Sequence, residues 1–527
     1  MRNLQRPAGP LLLQAVLTAA TFILFGQLAL RHVGESTFLS DQTDQLQLFE
    51  RFLRLTPDGL LGGVMSGTAP PTRSVGPLGA LLFGIPVGLG FGVDTVQVLT
   101  SVLLVATACG AFLALARIDL TLAWAWLLLF VANPIVWWNA SMLWANTLLL
   151  VAGNMMLALM AMCLRRPTFA RWCGMILVAI FAAQVSLVAI TALPPIAFVA
   201  LRTLPVARRH RPGRVLAVAI GVVTVLAIGP FLLAETMTGF ANTRAALTHV
   251  SEDPPDASPS ERAIVPILQR AADPTGGIQA AGAPGWMAVA IGTAVAFVSL
   301  LAWAWSAWLT PRDGGRPPDD AIFWVVATAI VGIAGQVAFF VIENRGLLSY
   351  HYIAMLVPLY AVPPAALVAW IAARTSPRIR DLTAAALGIT CLAVVVWRAP
   401  DWADDYAERT PWTFEHISGA VDALCGHGQS ASTLEGPGFQ SIIPGHDGVL
   451  KYLMTRRFVS CGYDEDSDLL LIAERDRPYE ASRHERNRVF GLVQVVEPGI
   501  ALYRRQGLST AGAPLGLNQS LGGPVSR

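Results

Sequence analysis

Charge is what this 527-residue chain has least of: Asp, Glu, Lys and Arg make up 14% of it, against about a quarter in an ordinary soluble protein. With 54% hydrophobic residues and a mean hydropathy of +0.54, that deficit excludes a soluble enzyme or a soluble nucleic-acid binder. The 37 basic and 35 acidic residues nearly cancel, so no strongly charged partner is indicated. Cysteine is also scarce. None of the six is spaced as a zinc or haem site, and Cys109, Cys163, Cys173 and Cys391, in or beside apolar runs, read as small packing residues. The chain lacks tandem repeats, a Rossmann fingerprint and a Gly-rich phosphate loop.

What it has instead is apolar runs of membrane-spanning length. They lie near Pro10 to Leu30, Asp94 to Ala116, Leu120 to Trp137, Asn146 to Leu164, Trp172 to Ser186, Leu187 to Ala200, Val215 to Ala234, Gly285 to Leu309, Ala321 to Ile342, Ile353 to Ala373 and Leu382 to Trp397, which predicts about eleven helices. The first run ends at Arg31-His32 without a small-x-small cleavage site and is read as an uncleaved span. Threaded alternately, the spans place Arg2, Arg6, Arg117, Arg165, Arg166, Arg171 and the arginines of 202–214, 312–316 and 374–380 on one side. The positive-inside rule makes that side cytoplasmic, so the N-terminus is expected inside and the C-terminal region outside the inner membrane.

The fold class expected is therefore a polytopic α-helical membrane domain over 1–398, followed by a small soluble α/β domain over 399–506 and a Gly/Ser/Pro-rich end over 507–527. After Arg398 the composition changes: 129 residues hold 17 acidic and 12 basic ones, about 22% charged, an ordinary soluble value. Phe414 to Leu424 has helical periodicity, while Asp468 to Ala473, Gly491 to Val496 and Gly499 to Tyr503 read as strands. In an oxidising compartment Cys425 and Cys461 are free to pair as a disulfide. Two further long loops, 31–93 and 235–284, fall on the same outer side as this domain.

Chemistry is sought in those outer loops. In the segment Ser40-Asp41-Gln42-Thr43-Asp44, a helix would put Asp41 and Asp44 on one face, where they can take a proton from a hydroxyl or hold a divalent cation such as Mg or Mn; an N-cap or a merely polar loop reads the same residues without function. Arg73 precedes Gly76-Pro77-Leu78, which opens an apolar stretch broken by Gly and Pro that suits a helix lying in the interface. Asn139 and Asn146 bracket the second outer turn, where amides can orient a polar ligand, while Trp137, Trp138 and Trp144 read as interface anchors. In the last short outer loop Arg345 is either a cation for a lipid phosphate or a partner of Glu343, and His351 and Tyr352 are phosphate-donor candidates or interfacial side chains.

The order of these segments resembles the GT-C superfamily of bacterial membrane glycosyltransferases, in particular the family 39-like proteins related to protein O-mannosyltransferases and aminoarabinose transferases. The resemblance is carried by Ser40-Asp41-Gln42 after the first span, Gly76-Pro77-Leu78, Trp144-Ala145-Asn146 before the fourth span, and Tyr350-His351-Tyr352 with Pro358. It implies inverting transfer of a hexosyl or pentosyl group from a polyprenyl-phosphate donor to a hydroxyl of a glycan, lipid or protein acceptor at the outer face. Asp41 matches the family's general base, with Asp44 as a substitute. Arg345, His351, Tyr352 and Arg73 then serve the donor phosphate, and Asn139 and Asn146 the substrate. Gln42 stands where the family often has a second acid, and Ser186 where it often has a histidine.

Two other classes fit parts of the pattern. A transporter or lipid-linked-sugar flippase would place ionisable groups near mid-bilayer and often show inverted repeats, whereas these spans are nearly free of charge. A non-catalytic relative that only binds lipid-linked sugar is consistent with Gln42.

Overall fold

The computed structural model describes residues 8–31, 48–49, 51–62, 64–65, 72–73, 76–141, 145–207, 214–245, 285–309, 318–343, 350–409, 431–432, 469–473, 489–497 and 500–506. They fall in two compact units, Met1–Phe414 and Glu415–Arg527.

The first unit opens with α1 (Ala8–Arg31), whose 24 residues reach ~36 Å at ~1.5 Å per residue, enough to cross a hydrocarbon core of about 30 Å. The first long loop contains α2 (Pro57–Leu60), the paired strands β1 (Val64–Met65) and β2 (Thr72–Arg73), and α3 (Leu78–Gly88). The bundle continues with α4 (Val93–Ala116), α5 (Leu120–Val131), α6 (Pro134–Ser141), α7 (Ala145–Arg165), α8 (Phe169–Val185), α9 (Leu193–Ala207) and α10 (Arg214–Met237). It ends with α11 (Gly285–Leu309), α12 (Pro318–Glu343), α13 (Val357–Tyr360), α14 (Val362–Ala373) and α15 (Pro377–Arg409). Short 3-10 turns occupy Leu187–Ala192 and Tyr350–Leu356.

Seven described helical stretches are long and apolar enough to cross a membrane: Leu12–Arg31, Val93–Ala116, Asn146–Arg165, Val289–Ser306, Ala321–Phe340, Ile353–Ala373 and Pro377–Trp397. Four shorter apolar helices, Leu120–Val131, Phe169–Val185, Val188–Thr203 and Gly221–Met237, lie on the other apolar runs. The chain is a multi-pass membrane protein. The apolar α3 has 11 residues, about half the roughly 20 needed for a crossing.

The centre of the bundle is α7, mostly buried, with α4, α8, α12 and the Tyr350–Leu356 turn packed around it; α1, α11 and α15 form the rim and expose most of their apolar surface. Lipid tails are as apolar as leucine, so helix association in a membrane depends on close packing and on satisfied polar groups. Indole N–H groups supply many of the latter. Trp126 donates to the Pro358 carbonyl at 2.8 Å, Trp303 to the Ala366 carbonyl at 2.9 Å, Trp370 to the Ala302 carbonyl at 2.8 Å, and Trp172 to Thr203 Oγ1 at 2.9 Å. Ser299 donates to the carbonyl of Pro363. Ala365, Ala366, Ala369 and Ala372 give α14 a small-residue face that lets α5 and α11 approach.

At one end of the bundle, Asp119 caps α5 by accepting from the Leu122 N–H at 2.9 Å and pairs with Arg380 of α15. Cys163, Cys173 and Cys391 are buried free thiols, and Cys109 is a half-buried one.

One reading of the sequence differs from the structure. Trp137 is not an interface anchor: it is 6% exposed, donates to the Val131 carbonyl at 2.6 Å and meets Phe25 of α1 edge-to-face at 4.9 Å. α15 runs on for eleven residues beyond Arg398 as a polar extension of the last apolar span. Hydropathy marks where the apolar stretch stops, not where the helix does.

The second unit holds a four-stranded sheet, order β3 (Ala431–Ser432), β4 (Leu469–Ala473), β6 (Ile500–Gln506), β5 (Val489–Glu497). β3 and β4 run parallel, and β6 pairs antiparallel with both β4 and β5. The expected helix at Phe414 to Leu424, Cys425 and Cys461 lie outside the described residues.

Candidate functional site

Three tethers hold described parts of the long loops and turns at one end of the bundle, opposite Asp119 and Arg380. The first is Gln184, buried at the end of α8. Its Oε1 accepts from the Leu78 N–H at 3.1 Å, and its Nε2 donates to the Ala227 carbonyl of α10 at 2.6 Å. One amide thus binds the start of α3 to two spans. Gly76 has φ +133°, a region L-residues rarely adopt, and a Cβ there would lie 2.9 Å from the Gln184 amide carbon. Gly76-Pro77-Leu78 is therefore a backbone device for entering α3 against Gln184. Gly76→Ala is expected to cost about 1–3 kcal/mol, read as a lowered melting temperature of the purified protein in detergent. Ser186, where the resemblance leads one to look for histidine, closes α8 and accepts from the Val188 N–H at 3.4 Å to start the following 3-10 turn.

The second tether is the β1–β2 pair. Arg73 is 9% exposed; its Nη1 donates to the Gly62 carbonyl at 3.4 Å and its Nη2 lies 3.7 Å from the Asp58 carboxylate. Its backbone is clamped by Asn242, which accepts from the Arg73 N–H at 2.7 Å and donates to the Arg73 carbonyl at 3.2 Å. The same contact area holds Leu60, Leu61, Phe52, Phe231 and Ala234 in a small apolar cluster.

Here α10 turns through Gly239 and Phe240, both at positive φ, and Thr243 returns its N–H to Glu235 Oε2 at 3.4 Å. Glu235 is 1% exposed, and its Oε1 has no hydrogen-bond partner among the described residues. Buried acids at the end of a membrane helix are costly unless paired and so point to function. Sequence reasoning registered Glu235 only as the first residue of a loop. The available signal was that it is the one acid in the whole of α10.

The third tether lies where α6 gives way to α7. Asn139, in α6, is fully buried: its Nδ2 donates to the Ile135 carbonyl at 2.7 Å, and its own carbonyl accepts from Thr147 Oγ1 at 2.7 Å. Its Oδ1 has no partner among the described residues. Ser101 of α4 donates to the next carbonyl, Ala140, at 2.7 Å. Asn146, at the start of α7, is 7% exposed. The Tyr350–Leu356 turn, which carries His351 and Tyr352, packs on α6 and α7, and Gly153 makes the approach to α7 possible: a Cβ there would lie 2.1 Å from the Met355 carbonyl oxygen. The structure therefore brings the Asn139/Asn146 turn and the His351/Tyr352 turn together. Arg73 sits apart with Asn242, and Asp41, Asp44 and Arg345 lie outside the described residues. Among the described residues no three His, Cys, Asp or Glu side chains converge as a metal site.

Neither a family model nor a curated protein sequence matches the chain. Solved structures do resemble it. ArnT from Cupriavidus metallidurans in the apo state superposes with a TM-score of 0.51 at 13% identity, covering 94% of this chain and 97% of that one. The same protein bound to undecaprenyl phosphate gives 0.49 at 14% identity, covering 97% and 100%. Arabinofuranosyltransferase AftD from Mycobacteria, as its R1389S mutant, gives 0.38 at 15% identity, covering 93% and 41%. The likeness is one of fold: the chain has the fold of ArnT.

Proposed function

We propose that this protein is an inverting membrane glycosyltransferase that moves a hexosyl or pentosyl group from a polyprenyl-phosphate donor to a hydroxyl-bearing glycan, lipid or protein. The observation that carries the reading is the fold shared with ArnT, with Gly76-Pro77-Leu78, Asn146 and the Tyr350–Leu356 turn at the same end of the bundle. That end lies opposite the arginine-rich loops, which supports an extracytoplasmic site, an inner-membrane location and a cytoplasmic N-terminus.

The chemistry follows from what such a transfer needs. The acceptor oxygen attacks the anomeric carbon as its proton passes to the Asp41 carboxylate, with Asp44 as the alternative base. The bond from the anomeric carbon to the phosphate oxygen breaks in the same displacement, which inverts the configuration and releases polyprenyl phosphate. Arg345, with His351 and Tyr352, holds the charge on that leaving phosphate. Arg73 is the weaker candidate for this role, since Asp58 and the Gly62 carbonyl already engage its guanidinium. Asn146 is the better placed of the two amides for a substrate, because Asn139 is fully enclosed. If a divalent ion takes part, Asp41 and Asp44 are the carboxylates that would hold it.

The test is transfer by purified protein in nanodiscs, given a panel of radiolabelled polyprenyl-phosphate sugars and a membrane extract as acceptor. Label moving from one donor into acceptor is the expected result. Donor binding without transfer would assign the chain to the non-catalytic relatives, and neither binding nor transfer would return it to the transporters. Arg345→Ala is expected to weaken donor affinity about tenfold or more, the loss of a charged hydrogen bond; unchanged affinity would leave Arg345 as the partner of Glu343.

A further inference from the structure

At the end of the bundle opposite the candidate site, a cavity of about 400 Å³ is lined by Ala114, Arg117, Met162, Arg165, Arg166 and Arg171. Four arginines from the ends of α4 and α7 and the start of α8 line one space. Arg171 has a local role: it donates to the carbonyls of Met162 and Arg166 and so caps α7. Arg117, Arg165 and Arg166 have no carboxylate within ion-pairing distance among the described residues. Asp119, two residues from Arg117, is turned inward and committed to Arg380 and the Leu122 N–H. The positive charge is therefore concentrated and uncompensated.

The chemistry of the wall selects a phosphate. All four basic residues of the wall are arginine, whose planar fork binds phosphate oxygens in pairs. The volume is within the range of a small-ligand site, roughly 300–1,000 Å³, and holds more than a single phosphate group at ~30 Å³ per water displaced. A stripe leads away from the cavity along α4: Leu99, Val102, Ala106, Gly110 and Leu113 are all exposed at helical spacing, ending at the exposed Arg117. An apolar strip the height of a span, ending in guanidiniums, matches an acyl chain ending in a phosphate headgroup.

We propose that this cavity is a binding site for an anionic phospholipid carrying two phosphates, of the diphosphatidylglycerol type, with its headgroup among Arg117, Arg165, Arg166 and Arg171 and one chain along the α4 stripe. Basic pockets at the cytoplasmic ends of membrane helices have the charge and shape for such headgroups. The site is independent of the sugar-transfer reading and does not fall with it.

The full chain, purified in detergent, is titrated with tetraoleoyl cardiolipin, dioleoyl phosphatidylglycerol, dioleoyl phosphatidylcholine or inorganic pyrophosphate, and bound ligand is counted by native mass spectrometry. One cardiolipin retained at least about tenfold more tightly than phosphatidylglycerol is expected, with pyrophosphate failing to displace it at equal concentration. The Arg117→Ala/Arg165→Ala variant should lose that preference at least about tenfold. Arg378→Ala removes an exposed arginine from the same end outside the cavity and should leave it unchanged. Both variants should melt with wild type in phosphatidylcholine. Equal retention by the cavity variant, no preference between the two anionic lipids, or full displacement by pyrophosphate would each overturn the assignment.

Discussion

Asp41→Asn is expected to lower sugar transfer by about 10²- to 10⁴-fold, the range a positioned general base contributes, while donor binding and expression stay near wild type. Asn is nearly the same size and keeps one acceptor oxygen; what it loses is the ability to take a proton. The contrast between catalysis and binding is the informative part. Turnover near wild type in the Asn variant would remove Asp41 as the base, and the same assay on Asp44→Asn would then show whether the neighbouring carboxylate carries the role.

The second large effect is expected at a residue with no chemistry of its own. In Gly153→Ala the new Cβ would stand 2.1 Å from the Met355 carbonyl oxygen, a backbone atom that cannot swing aside. Either α7 or the Tyr350–Leu356 turn must move. Overpacking of this kind costs about 1–3 kcal/mol and occasionally more, and a clash with main chain belongs at the upper end. Because the displaced turn bears His351 and Tyr352, the variant should lose both thermal stability and transfer. Gly110→Ala is the matched control, since nothing lies within 4 Å of its added methyl; it should melt at or slightly above the wild-type temperature, as alanine is the better helix former. If Gly153→Ala melts with Gly110→Ala, the close approach of turn to helix is wrong.

The contrast between these two glycines shows what the sequence discloses. The apolar runs place the spans because length and hydropathy are local properties, and the motif order carried the GT-C resemblance because it is a property of the chain read end to end. The stop between α8 and α9 was legible at Ser186. Gln184, Glu235 and Gly153 were not. Gln184 is one polar residue in an apolar run, and only the arrival of Leu78 and Ala227 from distant segments makes it a tether. Glu235 reads as the start of a loop until Thr243 folds back on it. Trp137 looked interfacial because aromatics near span ends usually are; Phe25 from another helix decides otherwise.

The ties across the bundle also bear on how freely this protein can change in evolution. Where an indole reaches the main chain of another helix, as Trp126, Trp303 and Trp370 do, the accepting residue contributes nothing that its own side chain encodes. It can mutate to any apolar residue of tolerable size without breaking the tie, and only the donor is constrained. Selection on these ties therefore acts on the indole donors more than on the residues that accept from them. A membrane bundle held in this way can keep its architecture long after its amino-acid identities have diverged, which fits the 13% identity at which the fold is shared with ArnT.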